Sequence, residues 1–92
     1  MIRIKHNPQV IWDMVDGVMV LYKVDSAELF ELNDTGGVMW RVCDEDTLEE
    51  AVRRVHQIYP DQDLREIDAT VRNFFQSLEA VGLISVQDEQ TK

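Results

Sequence analysis

At 92 residues the chain makes one domain, which buries roughly 60–65% of its unfolded surface and so has room for one core but not for a deep active site with its own scaffold. Eighteen acidic against nine basic side chains give a formal net charge of -9, which repels phosphate backbones and argues against nucleic acid as a partner. A single cysteine cannot close an internal disulfide, the first eight residues lack the apolar run of a secretory signal, and no stretch reaches the ~20 apolar residues of a membrane span, so a cytoplasmic protein with no membrane partner is expected.

Residues 1–8 show little pattern beyond Ile2 and Ile4, and Pro8 disfavours helix before it; a frayed or edge-lying start is expected. From Val10 to Val15 the side chains of Val10, Trp12 and Met14 alternate with a face that includes Asp13, the pattern of a half-buried strand. Asp16-Gly17 is a hairpin signal, because a primed turn needs positive φ and these residues tolerate it best. The second strand, Val18 to Val24, is apolar on both faces and is expected in the centre of the sheet. After a turn at Asp25-Ser26 the third strand, Ala27 to Leu32, pairs on its far side and is left as an edge.

Helix signals follow. Asn33, Asp34 and Thr35 are three successive residues able to cap a helix, and Gly36-Gly37 is expected to let the backbone turn sharply before the short apolar face Val38, Met39, Trp40, Val42 and Cys43. Cys43 on that face reads as a small buried hydrophobe and not a nucleophile. Thr47-Leu48-Glu49-Glu50 has the form of a capping box, Leu48, Ala51, Val52, Val55, Ile58 and Tyr59 recur at helical spacing, and Pro60 ends the helix. A third helix is expected from Asp63, with Glu66 completing a second box-like pattern, a core stripe of Ile67, Val71, Phe74, Leu78 and Val81, and Gly82 as the terminating glycine. One domain over residues 1–86 and a disordered polar tail over 87–92 complete the expected organisation.

No catalytic constellation emerges. His6 and His56 have no carboxylate or cysteine at ligand spacing. Asp44-x-Asp46 and Asp61-x-Asp63 begin like calcium loops but lack the glycine and glutamate those loops need further on, so they read as solvated caps. No metal, no cofactor and no enzymatic activity are expected. What stands out is amphipathic surplus on the third helix, where Leu64, Asp68, Arg72, Phe75 and Glu79 line a flank beside the core stripe. Phe75 reads either as an extra core aromatic or as the wall of a groove between this helix and the third strand, whose open edge offers backbone donors and acceptors to an extended peptide.

The sequence Pro8-x-Val10, the strand pair, Leu32-Asn33-x-Thr35-Gly36-x-x-x-Trp40, the helix opening Thr47-Leu48-Glu49-Glu50-Ala51, Tyr59-Pro60, Asp68 and Leu78-x-x-x-Gly82-Leu83-Ile84 together resemble the PqqD-like family. These are recognition elements for ribosomally made, post-translationally modified peptides. The resemblance implies an α+β winged helix-turn-helix, a three-stranded antiparallel sheet followed by three helices. It also implies that a precursor's leader peptide adds antiparallel to the third strand and packs on the third helix. On this chain that implies contacts from Glu28, Leu29, Phe30, Glu31, Leu32, Asp68, Val71, Arg72 and Phe75. Trp40 and the Leu-Asn-Asp-Thr-Gly spelling are more similar to the free-standing proteins of lasso-peptide clusters than to the pyrroloquinoline-quinone pathway member, and Ser26-Ala27 stands where the family usually has a glycine. The implied partners are the leader peptide and a separate leader peptidase or other modifying enzyme. A peptide chaperone of quinone-cofactor biosynthesis and a winged-helix DNA regulator are the alternatives, the latter disfavoured because the third helix has only Arg65 and Arg72 against Glu66, Asp68 and Glu79.

Overall fold

The computed structural model describes residues 2–42, 44 and 46–88. Along the chain these form β1 (Ile2–His6), β2 (Val10–Val15), β3 (Val18–Lys23), β4 (Glu28–Leu32), α1 (Asp34–Val42), α2 (Leu48–Ile58), α3 (Leu64–Ala80) and β5 (Ile84–Asp88). The architecture is mixed α+β, with a three-stranded antiparallel sheet in the order β2-β3-β4 and three helices.

Local chemistry sets the sheet. Asp16 and Gly17 both have positive φ, 51° and 80°, as a two-residue primed hairpin requires, and this fixes the register Met14↔Met19, Trp12↔Leu21 and Val10↔Lys23. The β3–β4 register, Met19↔Leu32 and Leu21↔Phe30, continues the same face. Met19 and Leu21 are buried in the core, so the face shared by Trp12, Phe30 and Leu32 looks inward. The opposite face carries Ile11, Tyr22 and Leu29 in one row and leaves them exposed. Antiparallel sheets open to water on one side more often turn polar residues outward. Ala27 adopts a left-handed conformation, φ 58°, just before β4.

A second, two-stranded sheet pairs β1 with β5, Ile4 opposite Val86. Of the frayed or edge-lying start expected, the structure shows the second, an ordered strand of a two-stranded sheet with Ile4 in the core, and Gln87 and Asp88, expected in the disordered tail, lie in β5. Residues 89–92 and Cys43, read from sequence as tail and buried thiol, lie outside the described residues.

The helix ends follow their sequence signals with three departures. Thr47 and Glu50 form the full capping box, Glu50 N–H to Thr47 Oγ1 at 3.1 Å and Thr47 N–H to Glu50 Oε1 at 3.4 Å. The hydrogen bonds from the Thr47 hydroxyl and amide hold the Glu50 carboxyl below its usual pKa. Gly82, φ 79°, closes α3 with Leu83 N–H on the Leu78 carbonyl and Gly82 N–H on the Glu79 carbonyl, the two bonds of a Schellman motif. The first departure is at Asp63, which caps α3 through Arg65 N–H without an answering bond from Glu66. The second is Gly36-Gly37, which lies inside α1 and not in a sharp turn. A Cβ on Gly37 would stand 3.2 Å from Cβ of Met19, and one on Gly36 would stand 3.1 Å from Cε1 of Phe74, so these glycines let α1 approach the sheet and α3 closely. The third is Asp46, expected to be a solvated cap, which is buried and ion-paired with Arg54.

The core lies between the inward sheet face and the helices. Trp40 of α1 is fully buried, stacked on His6 of β1 at 3.6 Å between centroids and met edge-on by Trp12 of β2 at 6.4 Å. One side chain therefore joins both sheets to a helix. Burial lowers the pKa of His6 from its ordinary value, against the opposing pull of the Asp44 carboxylate.

Candidate peptide-binding site

β4 is the last strand of its sheet, and among the described residues no strand pairs with its outer edge. Alternate backbone N–H and C=O groups along that edge are open to a partner strand. Leu29 is 64% exposed and Glu28 and Glu31 are exposed, while Phe30 and Leu32 turn inward, half-buried, to pack on the core.

Two contacts place α3 beside this edge. Lys23 Nζ, at the end of β3 and paired in register with Glu28, donates to the Val81 carbonyl at 3.2 Å. At the other end, the space above Gly36 is bounded by Cε1 of Phe74 and Cβ of Leu32. Val81 thus lies near the start of β4 and Phe74 near its end, and α3 passes β4 in the opposite direction.

The α3 flank turned to the side of β4 carries Phe74 and Val81, with Thr70 and Ser77 at helical spacing from them. Phe74 is half-buried, its ring edge-on to Phe75 at 5.1 Å, and Val81 is exposed. This corrects the helix phase expected from sequence. Phe75 is 2% and Val71 0% exposed, so both lie in the core, whereas Phe74, assigned to the core stripe, is half-buried at its edge and Val81, also assigned to it, is exposed. Asp68 and Arg72 are joined by an i,i+4 ion pair of 2.6 Å and line a different cleft, against α2. Of the nine residues expected to bind peptide, the structure gathers Glu28, Leu29, Phe30, Glu31 and Leu32 at the strand, sets Val71 and Phe75 under it, and turns Asp68 and Arg72 away. Phe74 was hidden because either of two adjacent aromatics completes the stripe. The signal that finds it is Gly36, whose missing Cβ makes room for its ring.

Among the described residues no group of three or more His, Cys, Asp or Glu side chains is placed to hold a metal ion, and no helix is long and apolar enough to cross a membrane.

Comparison with known proteins gives the class of this chain. The family model described as coenzyme PQQ synthesis protein D (PqqD) matches residues 18–84, and the chain belongs to the PqqD family. No curated protein sequence matches it. Two solved structures are similar in fold. One is TbiB1 in complex with the TbiA(beta) leader peptide, with a TM-score of 0.79 at 23% identity over 88% of this chain and 94% of that one. The other is a lasso peptide synthetase B1 complexed with the leader peptide, with a TM-score of 0.77 at 20% identity over 90% and 98%.

Proposed function

We infer that this protein binds the leader segment of a ribosomally synthesised precursor peptide and delivers it to a leader peptidase or other modifying enzyme in lasso-peptide biosynthesis. The observation that carries this reading is the unpaired edge of β4, with Phe74 of α3 beside Leu32 at its end. The leader adds as an antiparallel strand to Glu28–Leu32. Its backbone bonds fix register, and its alternate side chains supply specificity. Apolar leader side chains enter the space over Phe30, Leu32 and Phe74, and Val71 and Phe75 make the floor rigid from below. Glu28 and Glu31 stand at the rim, where charge tunes on-rate more than affinity.

In this reading the protein is a binder and not a catalyst. α2, the turn at residues 59–63 and α3 correspond to the helix-turn-helix of a winged fold, with α3 turned to peptide and not to DNA. Both similar structures were solved with leader peptides, which supports the lasso assignment over quinone-cofactor biosynthesis. The test is titration of a labelled synthetic leader from the precursor peptide encoded beside this gene. Saturable binding at micromolar or tighter Kd, absent for a scrambled leader, is expected. No binding, or preference for a quinone-cofactor precursor, rejects the assignment.

A further inference from the structure

We propose that the cleft between α2 and α3 is a second docking site, taken by an acidic segment of a partner protein that carries one apolar anchor. The cleft has a volume of about 350 Å³, within the range of pockets that hold a ligand. Its apolar lining comes from Val52 and from Leu64, a large side chain left 51% exposed in the first turn of α3. Around that lining stand three guanidiniums, Arg53, Arg65 and Arg72, against two carboxylates, Glu49 and Asp68. Asp68 is engaged by Arg72 and Arg53 feels the nearby Glu50 carboxylate, whose pKa it helps to lower, whereas Arg65 makes no ion pair among the described residues.

The charge pattern names the occupant. The chain carries -9 overall, yet here cations outnumber anions around an apolar hollow. An acidic partner is repelled by most of this surface and steered to a cleft where cations are in excess and an apolar hollow lies among them. Guanidiniums present forked donors that match carboxylates, and their aliphatic stems extend the apolar wall. The positive end of the α3 backbone dipole lies at the same place. A basic segment meets like charge there, and a purely apolar one leaves Arg65 unanswered. The site lies on the flank of α3 opposite Phe74, so it is separate from the β4 groove and holds whether or not that groove takes a leader.

The probe is an acetylated, amidated nonapeptide with one leucine among glutamates and aspartates, titrated into the isotopically labelled full chain. Two controls replace its acids by lysine or its leucine by serine. The expected result is saturable binding with shifts at Val52, Leu64, Asp68 and Arg72, weakened roughly tenfold or more by Arg53→Glu with Arg65→Glu, by the lysine control and by high salt. Both substituted arginines are exposed, so the fold is retained, and leader binding at β4 stays unchanged. Equal binding of the lysine probe, equal binding of the serine probe, shifts centred on β4, no saturable binding, or a matching loss of leader affinity in the double variant would each overturn the proposal.

Discussion

The two flanks of α3 are built from one helix and face opposite tasks. On one side Phe74 and Val81 lie toward an open strand edge, the surface proposed to take an extended peptide. On the other, Leu64, Arg65, Asp68 and Arg72 face α2 across a charged cleft with no free backbone to pair. A residue steps about 100° around a helix, so a shift of one position in the inferred phase moves a side chain from groove to core, and a few more carry it to the far flank. The comparison teaches that the helix's function is set by what each flank meets and not by the composition of its stripe.

The largest expected effect separates floor from wall. Phe75→Ala empties a core site and should cost about 3–5 kcal/mol, most of the roughly 5–10 kcal/mol available to a domain of this size, measured by urea unfolding. If Phe75→Ala leaves stability intact and removes only peptide binding, the phase assigned to α3 is wrong. Phe74→Ala should instead weaken leader binding by about 2 kcal/mol, roughly thirtyfold, with the helical circular dichroism signal retained. In the same titration Arg72→Gln on the opposite flank should change affinity by less than about 1 kcal/mol, since an exposed i,i+4 pair is worth little.

Smaller effects probe how the edge is presented. Ala27 stands at φ 58°, a conformation disfavoured for any residue with a Cβ. Ala27→Gly should therefore stabilise the protein by about 0.5–1 kcal/mol by chemical denaturation, after the unfolded-state entropy of glycine is discounted. A loss of stability would mean that the turn before β4 is not strained. His6 gives a pH dependence. Its pKa is lowered by burial against Trp40, so below the unfolded value of about 6.5 the unfolded chain binds more protons than the folded one. Stability is then complete above that pH and falls as pH drops from it toward the folded-state pKa. His6→Gln should flatten this slope in denaturation curves at stepped pH, and an unchanged slope would assign the titration to another group.

Elements with local determinants were legible in the residues. Asp16-Gly17 specifies its hairpin, Thr47 and Glu50 their capping box, and Gly82 the end of α3. The edge position of β4 followed from the meander. What was not legible depends on distant partners. Ile2–His6 becomes a strand only because Ile84–Asp88, at the other end of the chain, pairs with it. Either Phe74 or Phe75 satisfies the helical period, and the choice rests on the approach of α1 through Gly36. Asp68 and Arg72 were placed at the groove because a helical wheel gives the order of side chains around an axis but not the neighbour each one meets.

The central claim, that β4 and the Phe74 flank of α3 form one peptide-binding groove, is tested most directly by mapping backbone amide shifts while a synthetic leader is titrated into the labelled protein. The largest shifts should fall on Glu28–Leu32, Phe74 and Ser77, with slowed amide exchange along β4 as its edge becomes paired. Shifts concentrated on Val52, Leu64 and Arg72, with β4 silent, would contradict it.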